Sequence, residues 1–539
     1  MCKLISDNGG MTGQPRHLDK VSGSDLKARL DNYRTVMVVV GFFVGTAHIY
    51  TVPEFQHQYL QYQDTARWVS PACELVFLLK PFFGWHIDHH VLLGYKFKYY
   101  IILASAFMLV FSCIMSANQL SVESWTLLVL FRTISYVLVD TLGEGLMASV
   151  KSLEGKYRNM FEDVNHLNIV GVYLFSRGLS RAVFGAFGAY LSAYSTKMQT
   201  FYGVTALFSI TMLVFAKECF FELQRDEYPA FSADHLIVTP QNRLAEDLYS
   251  PTLRNFFDIS SKYPVWVHFI LLLIVSVLPI GDIAHRELFA KRTSSQSQPE
   301  MIMLIYINHS LLTYGILFYI ITRTSALNKK HLTVAAFICL ILASPPILLM
   351  KDTSQGMILA WSTLFHLLSH LGHSLLSLVF FSLYLPFLSA RRTVSLVTIP
   401  SCLIKASTLL QPSVERFVTK NLGLEVQFAV YFILVATLCA LYAVNVEEEL
   451  DRKVEEALIL VRYYDVKRGS EEEEKRLFRP TIEDNGDMYT PTVGSSLEHD
   501  ELEEGYIPDP KSTFHNRAEL SQINRETNLS DGSIDLKHF

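Results

Sequence analysis

Charged side chains are scarce in this sequence. Only 18% of its 539 residues are Asp, Glu, Lys or Arg, and 50% are hydrophobic. Soluble proteins of this size are about one quarter charged. The mean hydropathy of +0.25 is also high for a chain in water. The composition therefore excludes a soluble multidomain enzyme and a disordered chain. It predicts a protein embedded in lipid over most of its length.

Cysteine pairs and nucleotide-binding loops are missing as well. The seven cysteines are scattered, mostly in apolar runs, and no two form a Cys-x-x-Cys pair. This pattern is typical of small buried residues, not of a disulfide framework or a zinc site. Without a P-loop, ATP-driven transport is disfavoured. The first 33 residues lack an apolar core, so no cleavable signal peptide is predicted. We expect no cofactor and no bound metal.

Long apolar runs dominate what is present. A membrane-spanning helix needs about 20 mostly apolar residues. The sequence contains twelve such runs, at 35–54, 68–85, 99–117, 124–148, 167–194, 199–217, 264–284, 301–322, 332–350, 357–388, 392–411 and 425–446. They predict an all-α membrane protein with twelve transmembrane helices.

The spacing of the runs divides the chain into five regions. We predict a cytosolic N-terminal segment at 1–34, a six-helix half at 35–217, a cytosolic connector at 218–263, a second six-helix half at 264–446, and a cytosolic tail at 447–539. The tail has 24 acidic and 12 basic side chains. It is predicted to be mostly disordered after a short helix, and is a candidate surface for a cytosolic partner.

Loop charges predict the orientation. With the N-terminus inside, the inner loops carry 15 Lys and Arg residues and the outer loops carry 8. Because positive charge concentrates on the cytosolic side, both termini are predicted to be cytosolic. The same rule explains the mildly basic body without invoking nucleic acid. Which membrane holds the protein is left open.

A motif follows the second run. Its residues are Lys80-Pro81-Phe82-Phe83-Gly84-Trp85-His86-Ile87-Asp88, followed by Gly94-Tyr95-Lys96-Phe97-Lys98. This segment resembles the folate-biopterin transporter family, and Gly84 and Asp88 match the Gly-x-x-x-Asp core of the loop 2–3 motif of major facilitators. Phe83 replaces a frequent Tyr, and Lys96 and Lys98 flank Phe97 where an Arg pair is common. The resemblance implies the major facilitator fold and a pterin-like or folate-like substrate.

The motif also predicts a gate, to which we assign Lys80, Gly84 and Asp88. Pro81 is expected to end the second helix, and Gly84 to let two backbones approach closely. Asp88 is expected to lie against the N-terminus of a neighbouring helix, where the helix dipole favours an anion. The alternative for Asp88 is a loop residue without a role.

The fourth run carries charge along one face. Arg132, Tyr136, Asp140 and Glu144 recur every four residues. The fifth run carries Arg177 and Arg181, so that a carboxylate of the fourth helix can meet a guanidinium of the fifth. Charged groups inside a membrane usually pair. We assign Asp140, Glu144 and Arg132 to proton coupling and Arg177 and Arg181 to substrate binding. The alternative is a purely structural ion pair.

Two further substrate-binding candidates lie in the second half. Lys405 lies in the middle of the eleventh run and needs an anionic partner. Glu74 is a further interior candidate, but it belongs to the opposite half, so a substrate carboxylate is the partner expected for Lys405. His370 belongs to a histidine series in the tenth run, whose members are more often core residues than a binding site.

Two other functions compete with a proton-coupled transporter. One is a membrane receptor or assembly protein that keeps the fold and does not transport. The other is a membrane metal oxidase, suggested by His86-x-x-His89-His90 and His366-x-x-x-His370-x-x-His373. The two histidine groups are predicted to lie roughly 33 Å apart, too far to share a metal pair. We therefore predict that the chain is not an enzyme.

Overall fold

The computed structural model of the chain describes residues 23–50, 69–117, 120–157, 166–194, 198–222, 265–292, 298–322, 328–351, 354–388 and 393–446. The chain divides into two compact units, 1–469 and 470–539, and all described residues belong to the first. Most of the connector and the whole tail lie outside the described residues, and the predictions made for them remain predictions.

Seven helices form the first half of the described chain. They are α1 (Gly23–Gly45), α2 (Val69–Val76), α3 (Lys80–His89), α4 (Lys98–Ala117), α5 (Val122–Tyr157), α6 (His166–Tyr194) and α7 (Met198–Glu218). A 3-10 turn, Thr46–Tyr50, extends α1, and another, Phe77–Leu79, joins α2 to α3. The second and third helices therefore make one broken element that corresponds to a single apolar run.

Eight helices form the second half. They are α8 (Val265–Val277), α9 (Asp282–Arg292), α10 (Gln298–Thr322), α11 (Lys329–Ala343), α12 (Pro345–Met350), α13 (Gln355–Tyr384), α14 (Thr393–Leu422) and α15 (Leu424–Asn445). Each of the twelve apolar runs coincides with one or two of these fifteen helices. Within the described part of the chain, eight helical stretches are long and apolar enough to cross a bilayer. The chain is a multi-pass integral membrane protein.

Several helices extend beyond the apolar runs. Helix α1 begins at Gly23, twelve residues before the predicted span, and α5 continues to Tyr157. Proline does not end the second element as predicted. Pro81 occupies the first turn of α3, where a missing N–H costs little, and the helix continues to His89. The break lies just before Pro81, in the 3-10 turn.

A tight turn connects α3 to α4. Leu92 and Tyr95 exchange two backbone hydrogen bonds of 3.1 and 3.0 Å, and the two residues between them have positive φ. Gly94 adopts its φ of 84° without steric cost, whereas Leu93 at 51° does not. The turn holds Lys96 and Phe97 just before the first residue of α4.

Four helix pairs of the described chain join the halves. Helix α6 packs along α10 and α13, and α14 packs along α3 and α5. Where α3 crosses α14, a Cβ on Gly84 would lie 2.5 Å from Thr398 Oγ1 and 2.9 Å from Ser395 Cα. Only glycine permits this approach. We call the end of the bundle that contains Asp88 and the first turn of α14 the latch end.

Candidate functional site: a charge cluster between the two halves

A buried lysine lies between the two carboxylates of α5. Lys80 Nζ is 2.5 Å from Asp140 Oδ2 and 2.7 Å from Glu144 Oε1. The three side chains are at most 5% exposed. Helix α5 presents both carboxylates on one face because they are one turn apart. Lys80 reaches them from the first residue of α3, so the residue assigned to the gate belongs instead to the charge cluster.

Helix α6 adds a guanidinium and a phenol to Asp140. Arg177 Nη2 is 3.1 Å from Asp140 Oδ2, and Tyr173 OH donates to Asp140 Oδ1 at 3.3 Å. Asp140 therefore contacts both Lys80 and Arg177. Its partner on α6 is Arg177, with Arg181 one turn further along the helix.

The second half of the protein reaches the cluster through α14. Ser401 Oγ donates to Glu144 Oε1 at 2.7 Å. Glu144 thus binds Lys80 from its own half and Ser401 from the other half. Any movement of α14 away from α5 must break this hydrogen bond, so the contacts of Glu144 depend on how the halves are arranged.

The structure gives Lys405 a protein partner that the sequence analysis excluded. Its ammonium lies 3.5 Å from Glu74 Oε2, across the interface between the halves, and 5.4 Å from the ring centroid of Phe77. Glu74 was assigned to the opposite half and so was excluded as a partner. However, α2 and α14 lie beside the same interface, and the side chains meet there. Lys405 is 34% exposed and Glu74 is 46% exposed.

Two more cations lie within electrostatic range of Lys405. They are Arg177 and Arg181 of α6, which also act on Tyr314 of α10. Arg177 is 35% exposed. Among the described residues, Arg181 forms no ion pair. The region therefore has more positive charge than its carboxylates Asp140 and Glu74 balance.

Arg132 is not part of the cluster. Its guanidinium lies 5.3 Å from the ring centroid of Tyr202 on α7 and is buried. It precedes Asp140 by two helical turns, about 12 Å along α5. The periodic stripe on α5 placed Arg132 on the correct face but too far along it. The structure does not bring it to Asp140 and Glu144.

His370 belongs to a cluster of four imidazoles inside the second half. Its ring is 5.3 Å from His309 and 5.9 Å from His366, and His366 is 4.7 Å from His285. Within the described residues, no group of three or more His, Cys, Asp or Glu side chains is arranged to hold a metal ion.

Asp88 lies at the first turn of α14. Its carboxylate accepts hydrogen bonds from the backbone N–H of Val394 and Ser395, at 3.3 and 2.7 Å, and from Ser395 Oγ at 2.7 Å. Lys96 Nζ pairs with Asp88 Oδ1 at 2.7 Å, the same oxygen that accepts the N–H of Val394. A buried carboxylate at a helix N-terminus is electrostatically favourable. Asp88 and the close approach at Gly84 hold the two halves together at the latch end.

Solved structures with the same arrangement of helices are known. The human organic anion transporter MFSD10 aligns with a TM-score of 0.53 and 15% identity, over 80% of this chain and 100% of that one. The proton:xylose symporter XylE, bound to 6-bromo-6-deoxy-D-glucose, aligns with a TM-score of 0.55 and 10% identity, over 80% of this chain and 99% of that one. This is the major facilitator fold. The sequence itself matches no family model and no curated protein.

The sequence did not predict four features of the site. Two are ion-pair partners: Lys80 for the carboxylates of α5, and Glu74 for Lys405. The other two are the hydrogen-bond donors Tyr173 and Ser401. Lys80 and Glu74 carried a signal, since a charge in or beside an apolar run needs a partner. Tyr173 and Ser401 carried none, because neutral polar residues are common in spanning helices.

Proposed function

We propose that this protein is a secondary transporter of a small organic anion that moves its solute by alternating access. The buried cluster of Lys80, Asp140, Glu144 and Arg177 at the junction of the two halves carries the proposal. Buried charges in a membrane are costly and mark functional sites by default. Major facilitators bind substrate at the midplane between their halves.

The preference for an anion rests on the excess of positive charge. Arg177, Arg181 and Lys405 border the accessible region, and Glu74 neutralises only part of their charge. An anionic solute can take the place of Glu74 at Lys405 and also meet Arg181. The name of MFSD10 describes an organic anion transporter. The resemblance of the Lys80–Asp88 motif makes folates the first anionic solutes to examine, with pterins such as biopterin as uncharged counterparts.

Proton coupling follows from the sharing of one lysine. Asp140 has Arg177 as a second cation, whereas Glu144 has Lys80 and the neutral Ser401. When Glu144 takes up a proton, Lys80 keeps Asp140 as its counter-ion, so no buried charge is left alone. Protonation also weakens the hold of Glu144 on Ser401, because a neutral carboxyl is the poorer acceptor. In this proposal a proton on Glu144 releases α14 and lets the halves move.

The latch end closes one face of the protein. Under the predicted topology it is cytosolic, as are both termini, and the described conformation admits solute from outside. Opening requires α14 to leave Asp88 and Gly84. The acidic tail as a surface for a cytosolic partner is a separate proposal.

Binding and uptake by purified protein test the anion preference. The probes are folate, biopterin and uncharged pterin analogues, measured by thermal shift and by uptake into liposomes. Lys405→Ala should weaken anionic probes at least tenfold more than uncharged ones, a difference of about 1.4 kcal/mol. Lys351→Ala, which removes an exposed lysine paired with Glu425, is the control. Equal loss for both probe types would make Lys405 structural, and binding without uptake would favour a receptor.

A further inference from the structure

Glu222 lies four residues after the end of α7. Like Asp88, it binds the N-terminus of a helix, in this case α4. Its Oε1 accepts the backbone N–H groups of Lys96 and Phe97 at 2.9 and 2.8 Å. Its Oε2 accepts those of Phe97 and Lys98 at 3.0 and 2.6 Å. One carboxylate therefore satisfies three consecutive backbone donors at the start of α4, which have no partner within the helix.

The short segment that carries Glu222 is itself held in place. Asn32 of α1 donates to the carbonyl of Cys219 at 2.8 Å and accepts from the N–H of Phe221 at 3.1 Å. Lys98 Nζ donates to the carbonyl of Phe220 at 2.9 Å. The ring of Phe220 is fully buried, with its centroid 5.4 Å from that of Tyr33. Glu222 is therefore fixed between α1 and α4.

Lys96 connects this contact to the gate. Its backbone N–H binds Glu222, and its ammonium lies 2.7 Å from Asp88 Oδ1. Asp88 in turn binds the N–H groups of Val394 and Ser395 on α14. Three consecutive contacts, Glu222 to Lys96, Lys96 to Asp88, and Asp88 to α14, thus connect the end of α7 to the second half of the protein.

We propose that Glu222 is a positioning residue of the latch: by fixing the backbone at Lys96, it holds the Lys96 ammonium on Asp88 and so keeps α14 closed. Only the consequence that Glu222 governs gate opening rests on the proposed transport function. The contacts themselves can be tested without a substrate.

Hydrogen–deuterium exchange on the full-length protein in detergent tests the proposal. The amides of 96–98 report the contact with Glu222, and those of 394–395 report the contact with Asp88. Glu222→Gln keeps the shape of the side chain and removes its charge. It should speed exchange at both places, by roughly tenfold at 394–395. Glu218→Gln removes an exposed carboxylate four residues earlier, paired only with Lys217 at 3.4 Å, and should change neither.

A second variant separates the steps. Lys96→Met leaves the backbone contact with Glu222 intact and removes the ammonium from Asp88. It should speed exchange at 394–395 and spare 96–98. If Glu222→Gln speeds exchange at 96–98 alone, Glu222 is only a helix cap and the proposal fails. It fails equally if exchange rises uniformly along all helices, because that result assigns Glu222 to global stability. Absence of transport for every solute leaves this test unaffected.

Discussion

Lys80 shows how much one side chain can determine when it is buried among opposite charges. Its ammonium lies within 2.7 Å of both Asp140 and Glu144, and these two carboxylates neutralise its charge. Removing the lysine leaves two carboxylates one helical turn apart with only Arg177 to offset them. A buried pair broken in this way costs about 3–5 kcal/mol.

The lysine therefore yields a stability prediction. Lys80→Met should lower the unfolding temperature strongly, because like charges then face each other out of water. Adding Glu144→Gln to Lys80→Met should restore part of the loss, since Asp140 keeps Arg177. Thermal unfolding of both variants in detergent measures this, with Lys217→Met as the exposed control. A double variant less stable than Lys80→Met would show that Glu144 is not paired with Lys80.

Glu222 gives a prediction for pH. Burial raises the pKa of its carboxyl to about 7, although the three N–H groups and Lys96 act in the opposite direction. The unfolded chain has the ordinary pKa of 4.5. A raised pKa in the folded state means that the folded protein binds the proton more tightly. The contribution to stability is then complete below pH 4.5 and is lost as pH rises through 7.

The unfolding temperature of the wild type, relative to Glu222→Gln, should accordingly fall as pH rises from 4.5 to about 7, and change little above that. The nearby ionised groups Lys96, Lys98 and Asp88 are common to both proteins, so the difference isolates Glu222. A difference that grows with pH would mean that the hydrogen bonds from α4 outweigh burial. It would place the pKa of Glu222 below its usual value.

The crossing of α3 and α14 is the element on which closure depends. Glycine at position 84 lets the two helices meet, and a methyl group there would overlap Thr398 and the backbone at Ser395. By contrast, a Cβ on Gly315 in α10 would meet nothing within 4 Å. Overpacking of this kind costs about 1–3 kcal/mol, whereas alanine in an open helical position gains up to about 1 kcal/mol.

Gly84→Ala should therefore destabilise the closed latch, and Gly315→Ala should leave it unchanged or slightly stabilised. Exchange of the amides of 394–395 measures latch opening directly, because Asp88 covers them. Faster exchange is expected for Gly84→Ala alone. If both variants behave like the wild type, the helices can separate slightly at no cost, and the glycine is not what permits closure.

The helices and the charged stripes were predictable, but the partners of the charges were not. Each apolar run coincides with one or two of the described helices, and the four-residue spacing put Asp140 and Glu144 on one face of α5. The partners of Lys80 and Glu222 could not be predicted because each of these residues contacts others 60 or more positions away in sequence. Only tertiary packing brings such residues together. The helix breaks just before Pro81 and between α8 and α9 were hidden for a related reason, since each lies within one continuous apolar run.

At the scale of the whole molecule, exposure of the charged groups rises away from the latch end. The Lys80 cluster is almost fully buried, whereas Glu74, Arg177 and Lys405 are each at least 34% exposed. In the proposed alternating-access cycle, a molecule closed by Asp88 at one end and accessible at a cationic region between its halves is one of the states. The proposed link between the two regions is Glu144, through Ser401.

Uptake driven by a pH gradient tests this link most directly. Liposomes containing wild-type protein, Glu144→Gln or the control Glu123→Gln, which lies at the exposed start of α5, are given folate and biopterin with and without an acidic exterior. The account predicts that a solute accumulates in wild-type and Glu123→Gln liposomes only with the gradient, and that Glu144→Gln abolishes accumulation while solute exchange persists. Accumulation that is the same with and without the gradient, or unchanged in Glu144→Gln, would contradict it.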